Sequence, residues 1–242
     1  MDWFTKDRSE TTHNRMPNRT FNGATVINPA LGINIYRGAL TKELCSQIIN
    51  TLEENLKPGN TYTWNGAYVT TSEEVDLESR NAKDFKFNST GLGPVTEENK
   101  DLYSIHSKIF NKVRPCVDDY GNYWGVGIRS YEAFNFVKYE GTGTHFKIHA
   151  DHGPTYVTTV SIVVYLNDDY LGGELWFPRF NLTIKPQAGD IVVFPSTYIY
   201  EHASQDMIEG TKYSVVIMSD YNDRDGVNQK VSQTIQEYQL KY

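Results

Sequence analysis

Cysteine is nearly absent: Cys45 and Cys116 are the whole complement. Neither stands in C-x-x-C spacing, so a zinc site built on thiolates is not indicated, and two cysteines do not make a disulfide framework. A reducing compartment is the default reading. Excess positive charge is also lacking. Lys and Arg number 23 against 30 Asp and Glu, a net charge of −7. Neutralising phosphates needs a basic surface, so no nucleic-acid partner is expected. No apolar run approaches the length of a membrane span. The opening M-D-W-F-T-K-D-R-S-E-T-T-H-N-R has no apolar core of the kind a secretory signal carries. The expectation is a cytoplasmic protein with no membrane partner. Internal repeats and low-complexity blocks are missing too.

Tyrosine is plentiful, at 17 copies among 242 residues, which favours β structure and an aromatic pocket. The length suits one domain with an appendage. Residues 1 to about 30 are polar and read as a mobile arm with one edge strand near Phe21 to Val26. Residues 31–242 read as a single domain, its core over about 129–220. Ile33–Arg37 has the pattern of a strand. Thr41 then caps a helix carrying Leu44, Ile48, Leu52 and Leu56 on one face. A second helical pattern runs from Glu97 to Val113, and Pro115 is expected to break or kink it. His106 lies beside its apolar face and reads as structural.

Beyond Gly125 the pattern turns to strands, with Tyr131 to Tyr139 followed by seven further candidates: 145–150, 156–166, 174–177, 181–185, 191–194, 199–203 and 212–218. Gly-containing turns separate most of them. Eight short strands with helices only upstream predict an α+β, mainly β fold: a jelly-roll or double-stranded β-helix barrel with supporting N-terminal helices.

His149, Asp151 and His202 could share one ion. His149 and Asp151 are two apart, so on one strand both would point to the same face. His202 follows 51 residues after Asp151, far enough for the chain to fold back. Two histidines and one carboxylate form the facial triad of non-haem Fe(II) oxygenases. An H-x-D pair alone arises by chance on the order of 0.3 times in such a chain, so the pair needs support. Lys212, ten residues after His202, and Tyr165, closing an apolar strand, could together grip a carboxylate. Taken singly, a strand-end lysine and a core tyrosine are equally ordinary readings. A zinc-protease H-E-x-x-H at His145 and His149 fails, because Phe146 stands where Glu must be. His145 shares parity with His149, and surface or supporting roles are expected for it. His152 would point to the opposite face.

In combination these motifs resemble the Fe(II)- and 2-oxoglutarate-dependent dioxygenases, specifically the prolyl 4-hydroxylase-like branch. The resemblance covers about Gly125 to Asp220. It rests on Y-x-G-x-G from Tyr139, H-x-D at His149, Y-L-N, G-G-E-L-x-F, P-x-x-G-D-x-x-x-F, and His202 with Lys212 ten later. It implies Fe(II) on His149, Asp151 and His202, and 2-oxoglutarate with its 5-carboxylate on Lys212 and Tyr165. It further implies Tyr139 lining the pocket, O2 as cosubstrate and ascorbate as an auxiliary reductant. The implied reaction hydroxylates an unactivated C–H, with succinate and CO2 as co-products, and a peptide or protein is the implied substrate. A peptidyl proline is expected, with a free amino acid or small metabolite, or a non-catalytic barrel, as the alternatives. The arginine-rich R-x-N-x-T-x-R run of the nucleic-acid demethylase branch is missing after His202. Met218 stands where many prolyl hydroxylases carry tryptophan, and Leu175 where the family often has threonine. The aromatic, Gly-punctuated stretch from Tyr62 to Phe87 is expected to form a lid, with Trp64, Tyr68 and Arg80 contacting substrate. The sequence does not specify an oligomeric state.

Overall fold

The computed structural model describes residues 17–67, 75–87, 94–153 and 157–221. In chain order the strands are β1 (Arg19–Phe21), β2 (Ala24–Ala30), β3 (Ile33–Arg37), β4 (Asn65–Gly66), β5 (Arg80–Asn81), β6 (Lys83–Phe87), β7 (Ser130–Tyr131), β8 (Phe134–Glu140) and β9 (His145–His149). They continue with β10 (Val160–Tyr165), β11 (Leu171–Gly172), β12 (Leu175–Phe177), β13 (Leu182–Ile184), β14 (Ile191–Pro195), β15 (His202–Ser204), β16 (Met207–Glu209) and β17 (Thr211–Asp220). Two helices, α1 (Lys42–Asn55) and α2 (Lys100–Trp124), complete the set.

Three layers result. The major sheet runs β1-β2-β3-β14-β10-β17-β8-β6-β4, with β7 also on β17. The minor sheet runs β13-β12-β15-β9-β5. Alternation along β10 and β17 sends Val160, Ile162, Val164, Val215 and Ile217 to one face, where they pack with Ile48 and Leu52 of α1 and Ile109 and Val113 of α2. The other face, with Val163, Tyr165, Val192 and Phe194, meets Leu175, Phe177 and Ile184 of the minor sheet. The fold is the expected mainly β double-stranded β-helix.

Some expectations change. Residues 19–30 are two strands of the major sheet rather than an arm with one edge strand. Their polarity misleads because β2 crosses Asn28-Pro29 as a bulge, between the Ile27–Ile35 and Ala30–Ile33 pairs, where a proline needs no ladder hydrogen bond. Arg19 donates to Asp119 of α2 at 2.8 Å, and the hydroxyl of fully buried Tyr36 donates to the same carboxylate at 2.7 Å. α2 does not stop at Pro115 but continues to Trp124. Beyond the proline it buries Cys116, Val117 and Tyr120, and that burial outweighs a cost of about 3 kcal/mol for a helical proline. The strand expected at Ile199 begins only at His202, since Tyr198–Tyr200 is a 3-10 turn. Burial raises the thiols of Cys45 to about 11 and Cys116 to about 12.

Candidate metal and cosubstrate site

β9 and β15 bring the first two ligands together, because His149 pairs directly with His202. Asp151 is not on that strand as expected. β9 ends at His149, and Asp151 sits in the bend beyond it. It converges all the same: its Oδ1 lies 3.5 Å from His149 Nε2 and its Oδ2 3.6 Å from His202 Nε2. The three ligand atoms lie within 4.8 Å of one another.

The tautomers suit a metal. His149 Nδ1 is 2.7 Å from the Lys147 carbonyl and His202 Nδ1 is 3.1 Å from the Tyr200 carbonyl. A carbonyl only accepts, so each Nδ1 donates and each Nε2 keeps its lone pair for an ion. Ser161 Oγ donates to Asp151 Oδ2 at 2.6 Å and is itself 2.7 Å from Ser196 Oγ. Burial by itself would raise the Asp151 carboxyl, but His202, His149 and the Ser161 hydroxyl outweigh it and hold the group below the usual carboxylate range. Burial lowers His202 to about 4. Near neutrality the centre therefore presents an anionic carboxylate and a neutral His202, as a divalent cation requires.

Lys212 pairs with Tyr139 across β17 and β8, and lies diagonally from Tyr165, which faces Ser214 on β10. It is 2% exposed. Its ammonium donates to the Gly173 carbonyl at 2.8 Å and to the Ser204 hydroxyl. Among the described residues it makes no salt bridge, and burial lowers it to about 7 with only partial relief from Glu174. A buried cation held by neutral acceptors suits a carboxylate that arrives with a ligand. Gly173, at φ +66°, keeps the cradle open: a Cβ there would lie 2.5 Å from Met207 Sδ and 3.2 Å from Lys212 Nζ. Burial also raises the phenols of Tyr139 and Tyr165, so both remain hydrogen-bond donors.

The expected substrate contacts divide. Trp64 is on the helix side of the major sheet, donating to Glu53 at 3.1 Å with its ring 6.5 Å from that of Tyr213. Lys138 turns away from the barrel and lies 6.0 Å above the same ring. Trp64 is therefore remote from the metal face. Arg80 is on the metal side, 7% exposed, over the ring of Phe146. Tyr68 lies outside the described residues, as do residues 68–74 of the expected lid. The described flanks of that segment are β4, β5 and β6, paired into both sheets.

His106 is structural as expected, its ring 4.3 Å from Phe134 and 4.9 Å from Phe87. His145 bonds to the Gly143 and Glu78 carbonyls, and His152 to that of Thr158. Ser161 and Ser204 escaped the sequence reading. Each carries a signal, being a polar residue at inward parity, four before Tyr165 and two after His202.

Residues 134–218 match the family model of the 2OG-Fe(II) oxygenase superfamily. No curated protein matches the sequence. Solved structures that share the fold include three prolyl hydroxylases. A Trichoplax adhaerens prolyl hydroxylase, in complex with a hypoxia inducible factor oxygen degradation domain peptide fragment, aligns at 18% identity and TM-score 0.59, over 78% of this chain and 83% of its own. A Pseudomonas putida prolyl-4-hydroxylase aligns at 16% and 0.55, over 79% and 94%. The viral collagen prolyl hydroxylase of Paramecium Bursaria Chlorella virus-1, a 2OG complex, aligns at 19% and 0.53, over 78% and 95%. The family carries Fe(II), 2-oxoglutarate and O2 as its metal and cosubstrates, and the His149, Asp151 and His202 cluster could hold the iron. Over residues 134–218 the chain thus matches the 2OG-Fe(II) oxygenase superfamily, and its fold is that of the prolyl hydroxylases.

Proposed function

We propose that the protein binds Fe(II) through His149, Asp151 and His202 and hydroxylates an unactivated C–H bond of a peptidyl proline, releasing succinate and CO2. Lys212 receives the 5-carboxylate of 2-oxoglutarate, with Tyr165 and Tyr139 lining that end of the pocket. The catalytic domain takes in β1 and β2 together with the expected residues 31–242. The observation that carries the reading is Lys212, a buried ammonium that donates to the Gly173 carbonyl and the Ser204 hydroxyl and makes no salt bridge among the described residues, on the strand beside Tyr139.

Iron with 2-oxoglutarate and O2 supplies the oxidising chemistry when bound. The chain supplies the positions. The two imidazole Nε2 atoms and the Asp151 carboxylate would hold the ion, the donor set of a facial triad. Ser161 holds Asp151 Oδ2, which fixes how that carboxylate is turned. Lys212 exchanges neutral partners for a carboxylate, and the apolar lining of Val163, Phe177 and Phe194 keeps water away. Met218 Sδ lies 3.7 Å from Ser161 Oγ, beside the metal end, so its thioether shapes the side from which substrate approaches.

The peptidyl reading draws support from the Trichoplax adhaerens structure, which was obtained with a peptide fragment. Among the described residues no helix is long and apolar enough to cross a membrane. The test is succinate release from 2-oxoglutarate with Fe(II), with and without ascorbate, across proline-containing peptides and free amino acids, with mass spectrometry for one added oxygen. Oxygen on a peptide proline bears the proposal out. Turnover only with free amino acids moves the substrate to the small-metabolite class. No turnover together with no Fe(II) or Mn(II) binding leaves a non-catalytic barrel.

A further inference from the structure

We propose that Phe146 and Arg80 form a stacked support that fixes the ring plane of His149, so that both are positioning residues for the metal. The inference rests on the metal reading of the triad. His149 is the most exposed of the three ligands, its side chain 20% exposed against 9% for Asp151 and 8% for His202. Among the described residues its ring makes one hydrogen bond to the backbone, with the Lys147 carbonyl, and that contact alone would let the imidazole rock about it. The Phe146 ring closes off this motion. Its centroid lies 3.5 Å from that of His149, at 18° between planes.

Phe146 is backed in turn. The Arg80 guanidinium carbon sits 4.8 Å over its ring, and Arg80 is the cross-strand partner of Phe146 on β5. Arg80 is tethered to Asp84 of β6 at 3.5 Å, and Asn135 of β8 donates to the same carboxylate oxygen at 3.3 Å. A continuous set of contacts thus runs from the barrel wall through Asp84, Arg80 and Phe146 to the imidazole. A cation over an aromatic face adds attraction that strengthens when desolvated.

Backbone register makes the stack. His149 pairs with His202 and Phe146 with Ser204, so β9 spends three residues where β15 spends two. In an unbroken strand Phe146 would face away from His149. The bulge turns both rings to one side, an irregularity often found beside active sites. It also explains why His145, at matching parity, faces elsewhere.

The test uses the whole chain with Mn(II) alone, titrated by electron paramagnetic resonance, and Co(II) absorption as a probe of ligand geometry. Phe146→Leu is expected to weaken Mn(II) binding about tenfold and to shift the Co(II) bands, while Phe146→Tyr, which keeps the flat ring, behaves as the parent. Arg80→Met is made with Asp84→Asn, so that no buried carboxylate is left unpaired, and is expected to weaken binding about threefold. Thermal midpoints of the metal-free proteins report folding. If Phe146→Leu does not fold, Phe146→Met replaces it with the same expectation. A folded variant with parental affinity and parental Co(II) bands overturns the inference. A parent that binds no Mn(II) overturns the metal reading and this inference with it, and the two failures are distinct.

Discussion

The Lys212 ammonium lies 4.1 Å from the ring centroid of Tyr139, its partner across the β17–β8 ladder. The aromatic face and two neutral oxygens hold a charge that makes no salt bridge among the described residues. Lys212→Met should therefore weaken 2-oxoglutarate binding about a hundredfold, since a buried charged pair is lost. Calorimetric titration on the Mn(II)-loaded protein checks this, with Mn(II) affinity itself unchanged. Equal 2-oxoglutarate affinity in parent and variant would remove Lys212 from the site.

The same lysine gives a pH signature. Burial lowers it to about 7 in the fold, against 10.5 for the ordinary group. Between those values the unfolded chain holds a proton that the folded chain has released, so this group makes stability rise with pH across that window. Below about 7 both states are protonated and its destabilising effect is complete. Lys212→Met should stabilise the ligand-free protein most at about pH 6 and least at about pH 10, read as the gap between thermal midpoints. Bound 2-oxoglutarate favours the charged form, so its affinity should fall as pH rises through about 7.

Asp151→Ala should abolish succinate formation and lower Mn(II) affinity by at least about a hundredfold, because the only anion among the three ligands is gone. Ser161→Ala keeps the ligands but frees Asp151 Oδ2, and a loss of about tenfold in metal affinity is expected. An active Asp151→Ala enzyme would refute the triad.

Trp64→Ala should cost stability and spare catalysis. The indole joins α1 to the helix-facing side of β8 and β17 through Glu53, Lys138 and Tyr213. A loss of about 1–2 kcal/mol in urea unfolding is expected, with kcat/KM unchanged once a substrate is in hand.

Asp119→Ala tests the tie between β3 and α2. It strands the fully buried Tyr36 hydroxyl and the Arg19 guanidinium together, which should cost about 2–3 kcal/mol in urea unfolding. Asp119→Asn keeps an acceptor and should cost less.

The convergence of His149, Asp151 and His202, and the inward position of Lys212, were legible because their motifs keep order along the chain, and a barrel of alternating strands turns order into proximity. The hidden parts depended on contacts between distant segments. The stack of Phe146 on His149 was not legible, because a bulge in β9 cannot be read from alternation. Trp64 and Arg80 looked alike in an aromatic, charged stretch, yet pairing of β4 and β5 with different sheets sent them to opposite sides. Pro115 predicted a helix end by local chemistry, and the burial of Val117 and Tyr120 overrode it.

The short strand β15 carries both His202, a metal-binding nitrogen, and Ser204, the hydroxyl that holds the Lys212 ammonium. Two residues of extended backbone, roughly 7 Å, separate the contacts proposed for the two ends of the cosubstrate. The segment is hydrogen-bonded on both sides, to β12 and to β9, so the separation is built into sheet and not into loop. On the proposed assignment the pocket would act as a ruler, and a diacid one carbon shorter or longer than 2-oxoglutarate should bind more weakly because it cannot reach the metal and the lysine at once.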